Sequence, residues 1–197
     1  MPPRAISWAL LSSPSAISIE PNLNSARRYN LGVLYANQGK LDEATALFRR
    51  IIRVAPEYSD AHFSLAHAFE VQQRWPEAEA AYREALRIDP QFLAARNGLG
   101  VVLARRGMSQ LAAAEFQAVL KVDPQSSPAH HNLGLIYMQQ LSLDKAVDHL
   151  TQALEGSDSV PDVRNSLGVA LMQLERLPAA VEQFRAALAI RPKEPNF

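Results

Sequence analysis

The 197-residue chain contains no cysteine. That removes disulfides, thiolate metal sites and cysteine nucleophiles together, and says nothing about compartment. An excess of charge of either sign is missing too: Lys plus Arg and Asp plus Glu number 20 each. No long-range field therefore concentrates nucleic acid or an anionic membrane, and local pairing must supply any specificity. No apolar stretch approaches the roughly 18 to 20 residues that cross a bilayer. Glycine is scarce, at 8 residues, and forms no phosphate loop, nucleophile elbow or nucleotide fingerprint. Of the five histidines, His62 and His67 share a helix at a poor spacing and His130 adjoins His131. Neither pair matches the His-Glu-x-x-His arrangement, so no metal site, no cofactor and no enzyme active site is expected.

What the chain has instead is a period. Leu-Gly or Leu-Ala falls at 31–32, 65–66, 99–100, 133–134 and 167–168, a spacing of 34 each time. Ala44, Ala78, Ala112, Ala146 and Ala180 keep the same phase, each followed four residues later by Phe48, Tyr82, Phe116, Leu150 or Phe184. Pro56, Pro90, Pro124 and Pro192 form a further column, broken at Asp158. A fixed period of this length marks an array of small supersecondary units. Within the first unit, Leu31, Leu34 and Tyr35, then Leu41, Ala44, Leu47, Phe48 and Ile51, recur at offsets of three and four and predict two amphipathic helices. Small residues such as Gly32 and Ala44 let the two backbones approach, and the aromatic fills the space beside them. Gly39 and Gly107 break the helix between the halves, while Pro76 and Pro178 stand where a second helix begins and no N–H is needed. Ile88-Asp89-Pro90 and Val122-Asp123-Pro124 end the second helix, since proline disfavours helical geometry before it and removes a donor.

These columns resemble the tetratricopeptide repeat, whose signature is Leu-Gly, an aromatic three residues on, then Ala, an aromatic and a closing Pro. The resemblance covers residues 25–194 and implies an all-α fold: a right-handed superhelical solenoid of antiparallel helix pairs, in five units at 25–58, 59–92, 93–126, 127–160 and 161–194. The early Trp of the signature is absent; Arg28, His62, Arg96, His130 and Arg164 occupy its column. Residues 1–24 form an N-terminal segment in which 5–21 read either as the second helix of an eroded unit or as a leader. The apolar run 5–11 is too short and interrupted for an expected signal peptide. Residues 195–197 are a short tail. The sequence shows no polar helix after the last hairpin, so the expectation is a fragment of a longer protein or a small stand-alone array, with contact of that hairpin with a partner or a second copy as the alternative.

In this family the first helix of each pair lines a concave groove. Carried over position by position, the expected peptide-binding residues are Tyr29, Asn30, Asn37, Phe63, His67, Asn97, Arg105, His131, Asn132, Gln139, Asn165 and Gln173. Asn and Gln offer both donor and acceptor and can pair with any peptide backbone. Asn30 and Asn132 match the asparagine ladder of the O-linked N-acetylglucosaminyltransferase repeat domain, while Asn97 and Asn165 stand one residue early and Ser64 and Ser166 replace the ladder elsewhere. Phe63, Tyr29, Met138 and Met172 are candidate apolar anchors. The carboxylate clamp of chaperone-tail receptors is missing: Tyr29, Val33, Ser64, Ala94 and Gly98 hold its positions, with no fixed cations. Arg49, Arg50 and Arg53, the densest basic cluster, lie beside Asp42 and Glu43 and read as a solvated face. The expected function is a non-enzymatic scaffold for another protein or peptide, with no nucleic-acid or membrane partner. The alternative is a recruiting module of a larger enzyme, such as a glycosyltransferase. A cytoplasmic location is expected ahead of an exported or periplasmic one.

Overall fold

A computed structural model describes residues 23–155 and 161–190. Among them lie ten α-helices: α1 (Leu23–Asn37), α2 (Leu41–Val54), α3 (Ser59–Val71), α4 (Trp75–Ile88), α5 (Leu93–Arg105), α6 (Ser109–Val122), α7 (Ser127–Gln139), α8 (Leu143–Glu155), α9 (Pro161–Gln173) and α10 (Leu177–Ile190). The helices belong to two compact units, residues 1–107 with α1 to α5 and residues 108–197 with α6 to α10. The half-repeat reading of 5–21, the break at Asp158 and the closing Pro192 lie outside the described residues.

Each unit is built from helices packed on their chain neighbours, joined by turns too short for anything but an antiparallel hairpin. The two kinds of helix differ in how they are buried. α2 buries one stripe, Ala44, Thr45, Phe48 and Ile51, and leaves Arg49, Arg50 and Arg53 in solvent, as an amphipathic surface helix does. α3 lies between α2 and α4 and buries every residue from 59 to 66 except Asp60. In the second unit Ala146, Leu150 and Ala153 of α8 and Val163, Leu167 and Ala170 of α9 form one core.

The close crossings come from glycine meeting a ring. A Cβ at Gly32 would lie 2.6 Å from the Phe48 ring, and one at Gly168 2.6 Å from that of Phe184; at Gly134 it would meet Leu150 Cγ at 2.6 Å. The hairpin turns have a stricter demand. Gly39 and Gly107 sit at φ 75 and 78, and the same column is held by Gln73, Leu141 and Glu175 at φ 59, 57 and 59. All five are left-handed, a conformation costly for any residue with a Cβ. The turn bonds repeat as well: Arg74 N donates to Phe69 O at 2.8 Å and Ser142 N to Tyr137 O at 2.9 Å, the six-to-one bond that closes a helix C-terminus. Thus glycine marks two turns, and three others form without it.

The column that the signature gives to its early Trp has its own bonding rule. His62 Nε2 donates to Pro56 O at 2.8 Å, Arg96 Nη2 to Pro90 O at 2.9 Å and His130 Nε2 to Pro124 O at 3.0 Å. Each long N–H donor at the start of a first helix satisfies the carbonyl of the proline six residues back, which no helical N–H can reach.

Candidate functional site

Successive first helices touch one another: α1 with α3 and α3 with α5 in the first unit, α7 with α9 in the second. Their shared surface carries the residues expected to bind. Asn30, Asn37 and Arg105 are exposed in the first unit, as are Gln139, Asn165 and Gln173 in the second; Tyr29, His67, Asn97, His131 and Asn132 are half-buried. The amides of Asn30 and Asn132 have no partner among the described residues.

Phe63 is a correction. It is 4% exposed, with its ring 5.8 Å from Tyr82 and 4.9 Å from Phe92. A phenyl ring with no polar handle belongs in the helix-to-helix seam, and Phe63 is core. Tyr29 is only partly available: its ring packs at 5.9 Å from Phe48 and 5.5 Å from Tyr58, and its hydroxyl meets Ser64 Oγ at 3.0 Å. Met138 packs against the core of the second unit, whereas Met172 is exposed.

The bond from Tyr29 has a counterpart. His131 Nε2 lies 3.2 Å from Ser166 Oγ, and Ser166 spends its single proton on Asp162 O at 2.9 Å. His131 must therefore donate, which assigns its proton to Nε2. Burial lowers the His131 pKa, partly countered by the Asp162 carboxylate. In the first unit Asp60 occupies the place of Asp162. Burial, reinforced by the Asp89 carboxylate, raises the Asp60 pKa to about 6.

Between these two pairs the ladder is interrupted at Gly98. A Cβ there would run into the Tyr82 ring and its hydroxyl, which donates to Glu70 Oε2 at 2.6 Å. Other units carry Phe or Leu at the Tyr82 column and have room for Asn or Ser at the ladder position. Here the Tyr82 ring and its hydroxyl together take that room, and glycine fits. Burial, with the Glu70 charge beside it, holds the Tyr82 phenol well above its ordinary pKa.

Sequence reasoning missed His149. Its Nδ1 stands 2.9 Å from His130 Nδ1, and its ring stacks on Tyr137 at 5.3 Å. Because His130 Nε2 donates to Pro124, the neutral His130 accepts at Nδ1 and His149 donates. One unit later Arg164 Nη1 donates to Gln183 Oε1 at 3.1 Å across the same two columns. Only the pairing of first and second helix within a hairpin reveals this polar clasp, since its members are 19 residues apart in sequence. A cavity of about 450 Å³ beside His130 is lined by Leu120, Pro124, Gln125, Gln152 and Glu155, away from the ladder residues. Among the described residues no three His, Asp or Glu side chains converge to hold a metal ion, and no helix is long and apolar enough to cross a membrane.

The fold has many relatives. A MamA fragment from Desulfovibrio magneticus RS-1 superposes with a TM-score of 0.76 at 18% identity, over 89% of this chain and 99% of that one. PilF of Pseudomonas aeruginosa gives 0.78 at 21%, over 86% and 78%. YrrB, described as a TPR protein with an unusual peptide-binding site, gives 0.65 at 20%, over 86% and 88%. At these identities the likeness is one of fold. A comparison with curated proteins finds no sequence match. Tetratricopeptide repeat models match residues 29–92 and 131–195, and another matches 71–135. With well over half its length matched in this way, the chain belongs to the tetratricopeptide repeat family.

Proposed function

We propose that the protein is a non-enzymatic scaffold that binds an extended stretch of another polypeptide along its first-helix face. The observation that carries this reading is the pair of unpartnered amides, Asn30 and Asn132, on surfaces where first helices lie side by side. An amide that bonds nothing in its own chain supplies a donor and an acceptor to a ligand backbone whatever the ligand's sequence. The peptide-binding description of YrrB, a structural relative, agrees with such a use. The test is selection of binders from a random peptide library, followed by Asn30→Ala and Asn132→Ala. Affinity is expected to fall severalfold for each, with the melting temperature unchanged. A ligand indifferent to both, but lost on charge reversal at Arg49 and Arg53, would transfer binding to the second helices.

A second reading concerns α10. Leu177, Val181 and Leu188 are 56%, 44% and 70% exposed and share one helix face at spacings of four and seven. Self-association through this face predicts a mass that rises with concentration in light scattering and returns to the monomer in Leu188→Lys.

A further inference from the structure

Along the chain a second helix packs on the first helix that follows it: α2 on α3, α4 on α5, α6 on α7 and α8 on α9. In the last of these seams Val147, Thr151 and Leu154 of α8 face Leu167 and Leu171 of α9. Two faces of this kind have no cover among the described residues. On α1, Leu31 is 40% exposed, whereas Leu65, Leu99, Leu133 and Leu167 in the same column are at most 8% exposed. On α10, Leu188 is 70% exposed, whereas Leu154, one period earlier, is 8% exposed. One face belongs to a first helix and lacks a second helix, and the other belongs to a second helix and lacks a first. Each is what the other is missing. We propose that α10 of one copy packs on α1 of another, so that the seam of α8 with α9 is rebuilt between two molecules. The proposal rests on self-association through α10 and adds the surface that receives it.

The side chains of the two faces suit each other. Shifted by whole periods, Val147 and Leu154 become Val181 and Leu188, while Leu167 and Leu171 become Leu31 and Tyr35. Apolar side chains then meet along most of the seam. Thr151 becomes Arg185, whose guanidinium meets the face of the Tyr35 ring, a favourable place for a cation. Arg27 holds the column in which Ala61, Ala95, Ala129 and Val163 are buried, and neither it nor Arg28 has a partner among the described residues. A short turn sets the start of each first helix beside the end of the second helix before it, so both arginines fall at the end of α10. Ala186, Ala187 and Ala189 leave room there, and the last carbonyls of a helix, which no helical N–H reaches, accept from cations. The chain's own residues 5–21 are the poorer cover for α1, because Pro14 would stand inside a covering helix, remove a hydrogen bond and clash with the preceding turn. The only proline of α10 is Pro178, in its first turn, where none is lost.

The test is complementation between two full-length variants, Leu31→Lys and Leu188→Lys, followed by sedimentation equilibrium. Circular dichroism at low concentration checks that each keeps the parent's helix content; Leu34→Lys, 50% exposed on the same helix, takes the place of Leu31→Lys if that chain does not fold. The parent's mass is expected to rise with concentration, and each variant alone to associate at least about tenfold more weakly, as loss of a central apolar contact does. Mixed one to one where each alone is monomeric, the two are expected to form a heterodimer and nothing larger. Leu188→Lys keeps a receptive α1, Leu31→Lys keeps a competent α10, and the other two faces are blocked. A mixture that stays monomeric overturns the seam. Leu31→Lys associating like the parent, with Leu188→Lys monomeric, overturns α1 as the receiver and leaves self-association through α10 standing. A parent that stays monomeric from micromolar to millimolar concentration overturns both and leaves α1 to the chain's own residues 5–21.

Discussion

Leu141 occupies a turn that asks for glycine, and replacing it tests whether the repeat's backbone rather than its side chains sets the hairpin. Leu141 is at φ 57 and 78% exposed, so its side chain contributes little burial to set against a conformation costing about 1–2 kcal/mol for a residue with a Cβ. Leu141→Gly removes that cost and returns about 0.5–1 kcal/mol through the greater freedom of the unfolded chain. The backbone bonds should survive, because Leu141 N to Met138 O at 3.0 Å and Ser142 N to Tyr137 O at 2.9 Å already match Gly39 N to Ala36 O at 3.0 Å and Lys40 N to Tyr35 O at 2.9 Å. A net gain of about 0.5–1 kcal/mol is expected, or a rise of about 1–4 °C in melting temperature for a chain of this length. Urea denaturation followed by circular dichroism measures it. Gly39→Leu is the reverse control: nothing stands within 4 Å of its Cβ position, so any loss is conformational. A Leu141→Gly variant no more stable than the parent, together with an undisturbed Gly39→Leu, would refute the reasoning.

Three further outcomes follow from the same geometry. Tyr82→Phe keeps the ring but strips Glu70 of its 2.6 Å donor, and a charge-assisted bond of this kind makes the loss about 1–3 kcal/mol in denaturant titration; adding Glu70→Gln should shrink the difference between Tyr and Phe. Gly134→Ala drives a methyl into fully buried Leu150 and should cost about 1–2 kcal/mol of overpacking after its helix-propensity gain; Leu150→Ala in the same chain should relieve the clash. For pH, burial lowers the pKa of His67, His131 and His149 below 6.5, so the unfolded chain takes up protons first and stability present above pH 6.5 is lost as pH falls through their folded pKa values. Asp60, raised from 3.8 to about 6, has the opposite sign: it favours the folded chain at low pH and loses that contribution as pH rises through about 6. Melting temperature should therefore fall from pH 7 to 6 and fall less steeply below, with His149→Gln reducing the upper slope.

The sequence alone determined the helix pairs, because the period of 34, the Leu-Gly column and the alanine–aromatic column are consequences of backbones that cross closely, and close crossing tolerates only small residues facing large ones. Proline and two glycines marked ends that need a missing donor or a positive φ. The tertiary structure decided what depends on which side chains meet. It placed Phe63 in a seam of rings, explained the glycine that interrupts the ladder by the tyrosine side chain on the helix before it, and paired His130 with His149 across a hairpin. It also showed that Gln73, Leu141 and Glu175 turn the chain as glycine does, since packing of two helices can hold a residue in a conformation its own propensity opposes. Periodicity reports the spacing of a helix face, which is local. Whether a residue on that face meets solvent, a ring or another carboxylate is a property of the neighbouring helix, and no local pattern encodes it.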